Sequence, residues 1–276
     1  MRSALSRPDR PPPRIIALAN QKGGVGKTTT AVNLAAALAT RHKVLLLDLD
    51  PQGNASTGLG VGRAQRGAGS YSLLIEQRPI EEVLTPTPLR NLRLVPADPD
   101  LAGAELELAD LQGRETRLRT ALAAPAAALA GIDWIILDCP PSLGLLTLNA
   151  LVAADEVLVP LQAEFYALEG VSQIVQTLDR VRSRFNPRLS LGGIVLTMVD
   201  RRNKLCEAVE ADVRGYFHEQ VYQTVIPRNV RLSEAPSHGL PVALYDPRSP
   251  GSEAYARLAA EFLARQRARR RQEAVT

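Results

Sequence analysis

The sequence is short of cysteine, aromatic residues, long apolar runs and lysine, and each shortage removes a class of function. Two cysteines occur in 276 residues, Cys139 and Cys206. They are isolated and form no Cys-x-x-Cys pair, which argues against a disulfide framework, a zinc site or an iron–sulfur ligand set. Aromatic residues make up 4% of the chain, too few for the stacking platforms that grip single-stranded nucleic acid. No apolar run reaches membrane-spanning length, because the best candidate, 121–137, is broken by Pro125 and Asp133. Residues 1–13 are polar and rich in Pro and Arg without an apolar centre, so a disordered leader is expected there rather than a secretion signal or anchor.

What remains is ordinary in bulk and unusual in detail. Hydrophobic residues at 45% and charged residues at 22% suit a soluble globular chain, and the length allows a sizeable core. The net charge of +4 permits an anionic partner without proving one. Of the 33 basic residues only four are lysines (Lys22, Lys27, Lys43 and Lys204), and two of these four share one loop.

That loop, Lys22-Gly23-Gly24-Val25-Gly26-Lys27-Thr28, fits the phosphate-binding pattern Gly-x4-Gly-Lys-Ser/Thr with its first glycine relaxed. Glycines let the backbone curl so that successive N–H groups face phosphate oxygens, and the helix that follows adds its positive N-terminal end. Lys27 is placed to reach the β- and γ-phosphates and the Thr28 hydroxyl to ligate Mg2+. An apolar run, Arg14–Ala19, precedes the loop, and a breaker-free Ala/Leu-rich stretch, Thr28–Ala39, follows it. The pattern therefore sits in the strand–loop–helix order that it needs.

Short apolar runs alternate with helical stretches along the rest of the chain. Strands are expected at Arg14–Ala19, Val44–Asp48, Leu92–Pro96, Trp134–Asp138, Glu156–Pro160 and Leu191–Thr197, with a further candidate at Gln223–Ile226. Helices are expected at Thr28–Ala39, Arg114–Ala130, Leu145–Ala153, Leu168–Arg184, Lys204–His218 and Glu253–Arg271. This alternation predicts a single α/β domain over 14–263, a mostly parallel twisted sheet with helices on both faces and ligands at the carboxyl ends of the strands. One strand ends in Asp48-Leu49-Asp50, whose carboxylates two apart share a face, and a second ends in Asp138. A phosphate loop with such carboxylates is what a Mg–nucleotide site requires, one group ordering the metal's water shell and another the attacking water.

Three stretches, Lys22–Thr29, Asp48-Leu-Asp-Pro-Gln-Gly-Asn54 and Asp138-Cys-Pro-Pro-Ser-Leu-Gly144, together resemble the deviant Walker A P-loop ATPases, and most closely the ParA/Soj chromosome-partitioning type. Leu101-Ala-Gly-Ala-Glu105, Phe165–Gly170, Val225–Gly239 and Leu244–Ser249 carry the resemblance further, so that it runs from about Arg14 to about Leu263. No additional N-terminal DNA-binding domain is expected, as in the short chromosomal members. The resemblance implies ATP and Mg2+ as ligands, held by Lys22, Gly23, Gly24, Val25, Gly26, Lys27, Thr28 and Thr29, with Pro227 and Asn229 where the family holds adenine. It implies that Thr28, Asp48 and Asp138 serve the metal and that Asp50 positions the hydrolytic water. Lys22 would be the signature lysine that reaches the partner subunit's nucleotide in an ATP-bound homodimer.

The same resemblance implies slow ATP hydrolysis, sequence-independent binding of double-stranded DNA, nucleoid association in the cytoplasm and a ParB-like centromere-binding partner. Arg201, Arg202, Lys204, Arg228 and Arg231 are the candidate DNA contacts, Arg202 and Arg231 standing where the family makes them. The alternative, a MinD-like membrane-cycling ATPase that places the division site, would need bulky apolar residues near the C-terminus. Beyond Leu263 only alanines are left between the arginines, so 264–276 is expected to be a solvated basic tail or an extra DNA contact.

Overall fold

The computed structural model describes residues 12–124, 127–164 and 167–273. Seven strands form one sheet: β1 (Arg14–Leu18), β2 (Val44–Asp48), β3 (Thr85–Pro86), β4 (Leu92–Val95), β5 (Trp134–Asp138), β6 (Glu156–Gln162) and β7 (Ser190–Thr197). Their order across the sheet is β3-β4-β2-β5-β1-β6-β7. Every pairing is parallel except that of β3 with β4. The single-domain α/β fold expected from the alternation is the fold observed. The central strands are buried on both faces, which is why Val44-Leu-Leu-Leu-Asp48 and Trp134-Ile-Ile-Leu-Asp138 read as continuous apolar runs rather than alternating ones.

The principal helices are α1 (Lys27–Leu38), α2 (Arg117–Ala123), α3 (Leu145–Ala153), α4 (Ala167–Arg184), α5 (Lys204–Phe217) and α6 (Pro250–Glu273). Successive strand residues divide between two cores, as the two-residue period requires. Ile16, Leu18, Leu46 and Ile136 join Leu34 of α1 and Leu258 and Phe262 of α6 on one face. Ala17, Leu45, Leu47 and Ile135 join residues of α2, α3, α4 and α5 on the other.

Three expectations change. The long helix expected at Arg114–Ala130 is a seven-residue helix followed by a short turn at Ala127–Leu129. Its capping residue Ala124 is extended, with ψ of 139°, as a residue preceding proline must be. Gln223–Ile226 forms no strand. Residues 221–227 run beside β7 through isolated bridges Ile194↔Val221 and Val199↔Pro227. The N–H groups of Gln223 and Thr224 donate instead to the Glu261 carboxylate, at 2.9 and 2.8 Å, and so leave no continuous ladder. Finally, the arginine-rich end, helical as expected and as far as Glu273, is partly docked rather than a solvated tail. Arg265 stacks 3.9 Å over the Tyr222 ring, Gln266 is buried, and Arg269 approaches Glu156 to 2.8 Å. The expected leader lies outside the described residues apart from Pro12 and Pro13, as do Phe165, Tyr166 and residues 274–276.

Candidate nucleotide site

The loop from Lys22 to Gly26 joins the carboxyl end of β1 to α1. Asn20 anchors it: its Nδ2 donates to Pro160 O at 2.7 Å and its Oδ1 accepts from Lys22 N at 3.0 Å. Gly24 and Gly26 have φ of +75° and +86°, a left-handed conformation that side chains resist, and this turns the loop into the helix. The space above Gly23 and Gly24 is open, as a cradle for a ligand needs. From below, Thr197 Oγ1 donates to Val25 O at 2.7 Å.

The two lysines differ in place. Lys27 is buried, and its Nζ donates to Lys22 O at 2.9 Å, curling back over the loop. Burial lowers its pKa, while Asp138 and Asp50 pull it upward. The Lys22 side chain is 50% exposed and forms an ion pair with Glu164, so it points out of its own cradle.

Asp48 and Asp138 stand side by side, registered across β2 and β5 at the carboxyl ends of the strands, and both are fully buried. Asp48 accepts from Ser56 N at 2.8 Å, Ser56 Oγ at 2.6 Å and Asp50 N at 3.3 Å. Burial nevertheless pushes its pKa up to about 6, with the nearby Asp50 charge adding to the rise. Neither side-chain oxygen of Asp138 has a hydrogen-bond partner among the described residues. Burial and the Asp48 charge hold its pKa well above the usual carboxylate range, and the nearby Thr28 hydroxyl, although not hydrogen-bonded to it with good geometry, offsets this in part. Asp50, also buried, accepts from Gln52 N at 3.0 Å. Two adjacent buried carboxylates with Lys27 as the nearby cation form a site that a divalent metal would complete. The orphaned Asp138 oxygens, the open glycine cradle and the adjacent Thr28 hydroxyl therefore fit Mg2+ together with a polyphosphate.

Pro227 bridges to Val199, just past the carboxyl end of β7, and Asn229 caps the short helix Val230–Glu234 through an Oδ1 that accepts from Arg231 N at 3.0 Å. The intervening Met198 has φ of +52°, and its side chain lies next to Gly26, so this loop borders the glycine loop. The same junction gathers the candidate DNA contacts, because Arg228 N donates to Val199 O at 3.1 Å. Arg201 approaches Glu210 at 3.9 Å, Arg202 clasps Asp200 at 2.8 Å, and Arg231 meets Glu234 at 2.8 Å and Asp246 at 3.2 Å. Arg228 and Lys204 are exposed and have no ion pair among the described residues.

Sequence reasoning missed the supporting residues Asn20, Ser56, Glu164 and Thr197. Ser56 lies eight residues beyond Asp48 and Thr197 is 172 residues from Val25. No local pattern marks such partners.

A family model described as "AAA domain" matches residues 13–191. The chain is 54% identical over 259 residues to the chromosome partitioning protein ParA of Caulobacter vibrioides, a match covering 94% of this chain and 97% of that protein. It is 52% identical over 252 residues to the sporulation initiation inhibitor protein Soj of Bacillus subtilis, covering 91% and 98% respectively. Among solved structures it resembles cobyrinic acid a,c-diamide synthase from Mycobacterium smegmatis with bound ATP analog and magnesium. That match has a TM-score of 0.79 and 38% identity, and covers 92% of this chain and 96% of the other.

Proposed function

The chain belongs to the ParA/Soj family of chromosome-partitioning ATPases, and on that premise we propose that it is a Mg2+-dependent DNA-segregation switch. Its ATP-bound homodimer holds duplex DNA without sequence preference, and hydrolysis releases it. One observation carries the dimer: Lys22, unlike Lys27, is half-exposed and turned away from its own loop. A cation there can act on phosphate only if a second subunit brings a nucleotide to it, which converts nucleotide state into oligomeric state.

In this reading the N–H groups of 22–28 cradle the phosphates, Lys27 swings from Lys22 O to the β- and γ-oxygens, and Thr28 with Asp48 and Asp138 holds the metal and its water shell. Mg2+ supplies neutralisation of phosphate charge. Asp50, next to the buried pair, orients the attacking water. Pro227 and Asn229 border the adenine. Turnover is slow, because the attacking water lacks full transition-state charge stabilisation until a partner acts. That partner is a ParB-like centromere-binding protein, and the working location is the nucleoid.

Arg201, Arg202, Arg228 and Arg231 form the DNA face, and dimerisation doubles their number on one surface. Affinity and its salt dependence then rise together, because each phosphate contact releases counterions. Three of these arginines must exchange carboxylates for phosphates, so their contribution is smaller than that of free cations. Membrane cycling of the MinD kind is disfavoured, because α6 uses its apolar stripe in the core and its last turns pack against β6 and β7. No described helix is long and apolar enough to cross a membrane.

The test is retention of a random-sequence duplex with ATP, with ADP and without nucleotide at several salt concentrations, using Asp50→Ala to suppress turnover. Tight, salt-sensitive retention with ATP alone is expected. Equal retention in all three states would overturn the switch. Arg231→Glu should weaken the ATP-dependent retention while sparing dimerisation.

A further inference from the structure

Unpaired cations are not confined to the nucleotide end, where Arg228 and Lys204 stand. Arg180, Arg184 and Arg188 are exposed and have no acidic partner among the described residues. Arg119 of α2 joins them, its Nη1 donating to Phe185 O at 2.9 Å. Arg180 and Arg184 line one groove with Thr177 and Phe185. Arg119 and Arg188 line a second with Asn186 and Asp155. Phe185 of the first groove and Asn186 of the second are consecutive residues, so the four arginines surround one turn and are called the belt below. Of the nearby acids, Asp179 pairs with Arg182, whose Nη1 donates to it at 2.7 Å, while Asp155 accepts from Ile15 N at 2.8 Å and keeps its charge at the edge of the second groove.

The belt's position separates it from the switch. Helix α4 leaves the carboxyl end of β6 and ends just before β7 begins, so Arg184 and Arg188 lie towards the amino end of the parallel sheet. Lys27, Asp48 and Asp138 lie at the other end. All four arginines come from one subunit.

The chemistry of the belt favours a regular polyanion over a protein. Arg180 and Arg184 are one helical turn apart, about 6 Å along the axis. The exposed residues beside the arginines are Thr120, Asp179, Ser183 and Pro187, Asp179 being paired with Arg182; the first groove is bordered by exposed Leu143 and half-buried Phe185. A protein interface would need aromatic or apolar anchors at its centre, whereas a phosphate backbone needs only cations. We propose that this belt is a second contact for the backbone of duplex DNA, one that acts from a single subunit and in every nucleotide state. It rests on the DNA-binding reading above for the nature of the ligand but not for the gating. The belt supplies a weak baseline attachment that keeps a subunit near DNA after hydrolysis has dissolved the dimer.

The experiment uses the full chain without nucleotide and measures equilibrium binding to a random-sequence duplex between roughly 25 and 200 mM salt. Wild type is compared with Arg180→Glu/Arg184→Glu/Arg188→Glu and with Arg231→Glu. The belt variant is expected to lose at least about tenfold in affinity at the lowest salt. The slope of log K against log salt should shrink by about 3, near 0.9 for each phosphate no longer neutralised. Arg231→Glu should retain more of the nucleotide-free binding than the belt variant, and basal ATP hydrolysis should be unchanged in the belt variant. The milder triple change to Gln serves if charge reversal harms folding. Unchanged nucleotide-free affinity and slope would overturn the proposal and leave the belt a solvated face. Unchanged DNA binding with loss of partner-stimulated hydrolysis would overturn it in favour of an acidic protein ligand. Should ATP gating fail in wild type while belt-dependent binding persists, the belt stands and the switch falls.

Discussion

At the amino end of the sheet, Glu156 is 1% exposed and surrounded by its own counter-charge. Its Oε2 accepts from Gln266 Nε2 at 2.7 Å and meets Arg269 at 2.8 Å, while Arg14 lies 3.5 Å from Oε1. At the carboxyl end, Asp48 and Asp138 are equally buried, but they face each other and Asp50, with Lys27 as the nearby cation. The same residue chemistry at the same depth thus does opposite work. Glu156 joins β6, the start of β1 and the last turns of α6, and so it is structural. The aspartate pair is unstable in the ionised form until a cation arrives, which is the property a metal-dependent switch needs.

The largest expected effect removes one member of the uncompensated pair. Asp138→Asn should abolish the rise in melting temperature that Mg·ATP gives the wild-type protein while melting no lower than wild type without ligand. A clear loss of ligand-free stability would show that Asp138 is structural after all. The converse change, Glu156→Ala, leaves Arg269 without its carboxylate and Arg14 with Glu273 alone. It should cost about 2–3 kcal/mol by urea denaturation, below the cost of breaking a fully buried pair because both arginines keep contact with water. Nucleotide affinity should hardly change in this variant.

The aspartate pair also differs from Glu156 in its response to pH. Asp48, with a folded pKa near 6 against an ordinary 3.8, holds its proton more tightly in the folded state than in the unfolded chain. Its favourable contribution is present in full below about pH 4 and is lost as pH rises through about 6; Asp138, also raised, acts in the same direction. The stability of Asp138→Asn relative to wild type should therefore grow by about 1 kcal/mol or more between pH 5 and pH 8, measured without Mg2+ by urea midpoints. A flat difference would mean that the pair ionises freely. The smallest effects separate docked arginines from solvated ones in the last helix. Arg265→Ala gives up its stacking on Tyr222 and its bonds to Glu219 O and Val221 O, at 3.0 and 2.8 Å, and should cost about 1 kcal/mol. The exposed Arg267→Ala should stay within about 0.5 kcal/mol of wild type.

Much of this was legible in the chain itself. The strand–glycine loop–helix order and the aspartates ending β2 and β5 follow from local rules of apolar run length, glycine conformation and the two-residue strand period, and these rules hold wherever the segment sits. One misreading, the helix expected at Arg114–Ala130, was local, since Pro125 stands in the sequence; the other two share a long-range cause. Residues 223–226 have strand composition, but the Glu261 carboxylate, 37 residues from Thr224, takes the N–H groups that a ladder would use. The arginines past Leu263 read as a solvated tail because nothing local announces Glu156, 110 residues from Gln266.

The sequence by itself determined the fold class, the phosphate loop and the family, because each is written in contiguous residues whose backbone preferences and apolar spacing are local. Only the tertiary structure decided which buried carboxylates are compensated, which lysine leaves its own cradle and which arginines remain free. Those properties depend on charge and solvent access summed over segments that meet only after folding, and no local pattern carries that sum.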